Sequence, residues 1–185
     1  MNINKITNDI YEVYDFISEE EQLNILSLTK SISEEEWLKQ NENYVSDFWF
    51  GKSIIIENDI MQIMNKRLKN IFSSNNNITQ MNTINRHKIN ESMGTHTDHW
   101  LKDVDYIIRY GLVLYYNDDY LGGEIEYPDL NIIIKPKARS LIIHGGNIMH
   151  GTLPVLSNGI RYFSTAFVKE TKDNPAILNK EIFGE

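Results

Sequence analysis

The sequence predicts a mainly β, α+β fold, a double-sheet jelly roll with N-terminal helices packed on the outer face of one sheet. Two observations carry this. Beyond residue 77, about eight short apolar segments are separated by turn signals with mostly short connections, the pattern of sandwiches and jelly rolls. Before it, helix-start signals and apolar residues at helical spacing prevail. At 185 residues the chain is expected to form one domain, 1–185, with a helical support region (1–77), a jelly-roll core (78–170) and a C-terminal tail (171–185).

The elements follow in order. In SEEEQLNILSLTK, Ser18 and Glu21 form a capping-box pattern ahead of Leu23, Leu26 and Leu28, and Ser33 with Glu36 repeats the device in SEEEWLKQ. KSIIIE reads as a short strand. Ile60, Ile63, Met64, Leu68, Ile71 and Phe72 then recur at helical spacing, which makes them a packed helix face. SSNNN at 73–77 is a polar break. Strands are expected at 78–89, 93–99, 106–116, 123–127, 131–135, 139–144, 148–153 and 160–168. Turns fall at Asn117-Asp118-Asp119, Pro128-Asp129, Pro136-Lys137, Gly145-Gly146-Asn147 and Ser157-Asn158-Gly159.

Composition narrows the function. Hydrophobic residues at 41% and charged residues at 24% are ordinary for a globular protein. The net charge of −8 argues against a dominant phosphate-binding surface, so no nucleic-acid partner is expected. No apolar run is long enough to cross a bilayer, and MNINKITNDIYEVYDF lacks a basic start followed by an apolar core. The expectation is a cytoplasmic protein with no membrane partner. With no cysteine, any metal must be held by nitrogen and oxygen ligands.

Of five histidines, two lie in THTDH. On a strand His96 and Asp98 share a face while Thr97 points away, so the two could grip one ion. An H-x-D alone is weak, and a polar strand end explains it equally well. His144 and His150 are both candidates for a third ligand, although a satisfied strand-end histidine also accounts for His144. Two histidines and a carboxylate with open positions are the ligand set of non-haem Fe(II) oxygenases, and zinc accepts the same set. Arg161 shares its strand face with Phe163, Thr165 and Phe167, a face of internal character. A charge buried there needs an anion, and no acidic residue is close in sequence. A bound carboxylate suits the guanidinium, the other reading being a structural ion pair brought together by the fold.

With HTD (96–98), LVLYYNDDYLGGEIEYP (112–128), IKPKARSLIIH (134–144) and HGTLPVLSNGIRYFSTAFV (150–168) assembled, the chain resembles the 2-oxoglutarate- and Fe(II)-dependent dioxygenases, nearest the prolyl 4-hydroxylase-like branch. The resemblance covers about half the chain, from near residue 81 to 170. It implies a double-stranded β-helix, cupin-like core. It makes His96, Asp98 and His150 the iron ligands and Arg161 the partner of the distal carboxylate of 2-oxoglutarate. Fe(II), 2-oxoglutarate as cosubstrate and ascorbate as reductant are the implied cofactors. The implied reaction decarboxylates 2-oxoglutarate to succinate with O2 and hydroxylates a C–H bond.

Two positions depart from the pattern. His87 stands where prolyl hydroxylases usually carry a cosubstrate-binding tyrosine, nine residues before the first iron histidine. It is a candidate contact to 2-oxoglutarate, with a surface strand histidine as the alternative. The basic residue is arginine where many peptide hydroxylases have lysine. His99 is read as a surface or supporting group, and Trp100, LKDVDY and NENYVSDFWF (41–50) as a rim. The expected substrate is a peptide or protein, proline being the residue favoured. The alternatives are the same chemistry on a free amino acid or other small molecule, and a non-catalytic metal-binding jelly roll. A nucleic-acid demethylase is disfavoured by charge.

Overall fold

A computed structural model describes residues 2–39, 51–56, 58–72, 78–99, 105–157 and 159–184. Eleven strands and four α-helices are assigned, in the order β1 (Asn2–Thr7), β2 (Ile10–Tyr14), α1 (Glu19–Ser31), α2 (Glu34–Lys39), β3 (Lys52–Ile55), α3 (Asp59–Ile71), β4 (Thr83–His87), β5 (Met93–His96) and β6 (Ile107–Tyr115). There follow β7 (Ile125–Tyr127), β8 (Ile132–Ile134), β9 (Leu141–Gly145), β10 (His150–Thr152), β11 (Arg161–Glu170) and α4 (Lys180–Phe183). A seven-stranded sheet runs β1-β2-β9-β6-β11-β4-β3 and faces a four-stranded sheet, β5-β10-β7-β8. This is the double-sheet jelly roll that the sequence predicts.

Each of the eight strands expected beyond residue 77 has a counterpart, mostly shorter. The first of them is trimmed to Thr83–His87, and the THTDH strand ends at His96, leaving Asp98 in a bend. The polar break at 73–77 and Asn158 lie outside the described residues.

The support region differs from expectation. Residues 1–77 are not all helical support, because β1 and β2 form a hairpin that adds two strands to the larger sheet. The signal was present: apolar and β-branched residues flank the Asn8-Asp9 turn. Both capping boxes form, Ser18 with Glu21 and Ser33 with Glu36. The buried face of α1 is Ile25 and Thr29, however, while Leu23 is exposed. On α3 the buried stripe is Met61, Met64, Leu68 and Ile71, and Ile63 faces solvent. Period alone allowed two neighbouring stripes, and packing on the sheet selected the one centred on Met64.

The main core lies between these helices and the larger sheet. Ile25, Trp37, Met64 and Leu68 pack with Leu112, Leu114, Ile143 and Ala166. The C-terminal tail belongs to this layer, with Ala176 and Leu178 buried and Phe183 edge-on to Tyr11 at 5.2 Å. Two smaller clusters fill the space between the sheets, Ile10 with Ile125 and Tyr127, and Tyr115 with Ile142 and Phe163. Among the described residues no helix is long and apolar enough to cross a membrane.

Candidate metal centre

Antiparallel pairing of β5 and β10 places His96 directly opposite His150, so two residues 54 apart in sequence present neighbouring rings, 4.4 Å between centroids. Each ring is fixed from behind. His96 Nδ1 donates to the Gly94 carbonyl and His150 Nδ1 to the Ile148 carbonyl, both at 2.9 Å. A neutral imidazole that donates from Nδ1 keeps a lone pair on Nε2. The bend after β5 brings Asp98 Oδ1 to 3.6 Å from His96 Nε2 and 3.7 Å from His150 Nε2. One ligand atom from each of the three lies within 4.8 Å of the others, the only such group among the described residues.

Behind the carboxylate stands His144. Its Nε2 is 3.2 Å from Asp98 Oδ2, and its Nδ1 is 3.0 Å from the Tyr127 hydroxyl. An ionised carboxylate only accepts, so Nε2–H donates to Asp98 and Nδ1 accepts from Tyr127. His144 is therefore a buried histidine satisfied on both sides, bonded to a candidate ligand. Gly111 makes room for it: a Cβ there would overlap both Asp98 Oδ2 and His144 Nε2. Glycine inside a strand marks such a close approach.

The charges are set by burial and neighbours. Burial alone would raise Asp98, but its hydrogen bond with His144 and the close approach of His96 outweigh that and hold its carboxyl well below the usual range. Burial drives His150 down to about 3, helped by His144. His96 is also pushed down by burial, but the Asp98 carboxylate and the Gly94 carbonyl reverse this and raise it. Two imidazole nitrogens and an anionic oxygen converge, and with the His96 proton displaced that donor set suits a divalent metal.

Farther along the sandwich lies Arg161, the first residue of β11 and fully buried. Its neighbour Tyr115 is four residues beyond Gly111 on β6, about 13 Å along the strand between the two backbone positions. Arg161 donates to His87 Nδ1 at 2.9 Å and to the Tyr115 hydroxyl at 3.1 Å, and its guanidinium lies 4.3 Å from the Phe163 ring centroid. Among the described residues no carboxylate pairs with it, and its Nε meets no partner. The structural ion pair that sequence left open is thus not found there. The Tyr120 hydroxyl lies near enough for the guanidinium to stabilise its anion against burial, although the pair falls short of hydrogen-bonding geometry. Burial keeps that hydroxyl protonated, raised above the usual tyrosine value.

His87 is no surface histidine. It is fully buried, and burial together with the Arg161 charge drives it down to about 2. His99 is exposed and outside the cluster, with its backbone N–H bonded to Gly146. Trp100, residues 101–104 and residues 41–50 lie outside the described residues. Sequence reasoning passed over Gly111, Tyr115, Tyr120 and Tyr127. Only Gly111, alone in the apolar strand IIRYGLVLYY, carried a signal of its own. Two surface grooves, one bordered by Tyr14 and Arg139 and the other by Asn58 and Lys66, include no residue of this centre.

No family model matches the sequence, and no curated protein matches it. Solved structures do. The viral collagen prolyl hydroxylase of Paramecium Bursaria Chlorella virus-1, in its 2-oxoglutarate complex, is 16% identical over 89% of this chain and 97% of that chain, with a TM-score of 0.67. A Trichoplax adhaerens prolyl hydroxylase in complex with a hypoxia inducible factor oxygen degradation domain peptide fragment is 17% identical over 88% and 84%, with a TM-score of 0.60. HygX from Streptomyces hygroscopicus, with nickel, 2-oxoglutarate and hygromycin B bound, is 11% identical over 89% and 83%, with a TM-score of 0.59. At identities this low the likeness is one of architecture, and the chain has the fold of these prolyl hydroxylase and 2-oxoglutarate-bound structures.

Proposed function

We propose that the chain is an Fe(II)- and 2-oxoglutarate-dependent dioxygenase that hydroxylates a C–H bond of a peptidyl residue, with proline as the favoured target. The substrate gains one oxygen atom of O2, and 2-oxoglutarate takes the other as it becomes succinate and carbon dioxide. His96 and His150 would hold the iron through Nε2 and Asp98 through Oδ1. Arg161 would pair with the distal carboxylate of 2-oxoglutarate. One observation carries this reading: a fully buried guanidinium, with no carboxylate among the described residues, in the same sandwich as the triad. A zinc hydrolase with the same three ligands has no need of that cation.

When bound, iron and the keto acid supply the activation of dioxygen. The chain's own residues do the rest. The Gly94 and Ile148 carbonyls fix the histidine tautomers, so their lone pairs stay aimed at one point. Phe163 and Ile142 pack with Tyr115 in the sandwich interior, and the Phe163 ring lies against Arg161; such dry surroundings would strengthen the guanidinium's attraction for an anion. His87 and Tyr115 orient the guanidinium from its two sides, so His87 would act on 2-oxoglutarate through Arg161. The Tyr120 hydroxyl is available as a further donor to the carboxylate.

A peptide substrate is supported by the peptide complex of the Trichoplax protein. A small-molecule substrate is the second reading, favoured by the hygromycin B bound to HygX. The test is incubation with Fe(II), 2-oxoglutarate, ascorbate and oxygen, with a proline-rich peptide or free proline. Succinate and an added oxygen on the peptide alone are expected. Oxygenated free proline selects the second reading. Iron-loaded protein that neither binds 2-oxoglutarate nor forms its visible charge-transfer band without oxygen overturns the enzyme, and binding without 2-oxoglutarate-dependent oxygen uptake leaves a non-catalytic jelly roll.

A further inference from the structure

We infer that His144 is a positioning residue of the proposed centre: backed by Tyr127, it holds the Asp98 carboxylate so that Oδ1 alone faces the two imidazole Nε2 atoms. The inference rests on the metal-centre reading and says what enforces it. The two oxygens of Asp98 have different surroundings. Oδ1 lies 3.6 and 3.7 Å from the Nε2 atoms of His96 and His150, beyond hydrogen-bond reach, while Oδ2 lies 3.2 Å from His144 Nε2. A carboxylate free to rotate could present both oxygens to one cation. Here one of them is engaged by an N–H donor.

Three features show that the arrangement is built. First, the His144 tautomer is fixed from the far side, because the Tyr127 hydroxyl donates to Nδ1 and thereby commits Nε2 as the donor. Second, every member is buried: Tyr127 and His144 are 0% and 1% exposed, and Asp98 is 4% exposed. Third, strand register seats the pair. His144 on β9 lies opposite Gly111 on β6, the one residue type whose missing Cβ leaves space for Asp98 Oδ2 and His144 Nε2 together. The rings of His144 and His150 lie 4.0 Å apart, so the same histidine also packs on a second candidate ligand. Its own nitrogens are both occupied, which leaves it no lone pair for the metal.

The experiment uses the full chain, stripped of metal by chelation and titrated with Co(II), read by affinity and by the visible d–d band. Three variants separate donor from bulk. His144→Phe keeps a ring and loses the donor, His144→Gln keeps an N–H, and Tyr127→Phe removes only the hydroxyl behind it. Loss of a hydrogen-bonding partner behind a metal ligand typically weakens metal binding about 10- to 100-fold, and that loss with an altered band is expected for His144→Phe. His144→Gln should stay close to wild type, and Tyr127→Phe should be weaker with a shifted band. Equal or tighter Co(II) binding with the wild-type band in His144→Phe overturns the inference, as does a His144→Gln protein as weak as His144→Phe. If His144→Phe fails to fold, as judged by near-ultraviolet circular dichroism, Tyr127→Phe with wild-type affinity and band overturns it. Failure of the wild-type chain to bind Co(II) is a separate result that removes the centre itself, and the positioning role with it.

Discussion

Replacing Arg161 with methionine separates the two halves of the proposed site. Methionine fills much of the volume of the arginine stem and removes the charge. Taking away one partner of a buried ion pair costs about 3–5 kcal/mol, so the Kd for 2-oxoglutarate should rise by roughly two to three and a half decades. The ligand-free protein should change far less. It loses two charge-assisted hydrogen bonds, to His87 and Tyr115, worth about 1.5–3 kcal/mol each. It also sheds the burial penalty of a cation that is fully enclosed and lacks a carboxylate partner among the described residues, a penalty of several kcal/mol. These nearly cancel, and the ligand-free melting temperature should move by no more than about 5 °C. Wild type at a hundredfold excess of 2-oxoglutarate over its Kd gains about 2.7 kcal/mol, roughly 5–10 °C, and the variant should lack that gain. Metal affinity should shift less than about twofold, since distant sites act nearly additively. Anaerobic calorimetric titration of Mn(II)-loaded protein and thermal melts supply the numbers. Wild-type affinity for 2-oxoglutarate in Arg161→Met, or loss of metal as severe as the loss of 2-oxoglutarate, refutes the assignment.

Two further outcomes follow from the same geometry. Gly111→Ala drives a methyl group into Asp98 and His144, and this overpacking should cost about 1–3 kcal/mol in urea denaturation and weaken Co(II) binding; unchanged values in both would refute the close approach. Acid should destabilise the metal-free protein. His150 and His87 are depressed to about 3 and about 2, so the unfolded chain binds their protons first as pH falls below 6.5, and the stability they contribute is full above 6.5 and lost on the way down. His96 is raised and so acts with the opposite sign only above 6.5; below that it is protonated in both states, and the two depressed histidines give a slope that approaches about 2.7 kcal/mol per pH unit. Calorimetry between pH 6.5 and 5 should therefore show a melting temperature that falls with acid, and a flat or rising one contradicts neutral, buried His150 and His87 imidazoles.

The jelly roll was legible because its strands are short, apolar and separated by turn residues whose chemistry is local. The two histidines were legible for a different reason, as one-dimensional traces of neighbouring strands, while Asp98, read as sharing the strand face of His96, reaches them from the bend beyond that strand. What sequence left open depends on register. His144 stood as ligand or satisfied strand-end residue until the β9–β6 pairing set it opposite Gly111. His87 stood between surface and site until pairing with β11 set it against Arg161. The tyrosines had no sequence signal, since a tyrosine at an inward strand position reads as core wherever its hydroxyl ends up.

The N-terminal hairpin, which helical patterning hid, bears on the chemistry. Strand β9 lies between β2 and β6, so His144 is held by Ile10 on one side and Gly111 on the other. Ile10 then packs with Ile125 and Tyr127, backed by Ile132, Ile134 and Ile148, and seals the apolar side of the Tyr127–His144 hydrogen bond. A hydrogen bond in such dry surroundings is stronger than one that competes with water, and leaving it unmade costs more. The same enclosure that makes His144 a firm support for Asp98 therefore depends on the hairpin of residues 2–14. A region read as mere support is, by its contacts, one wall of the candidate metal centre.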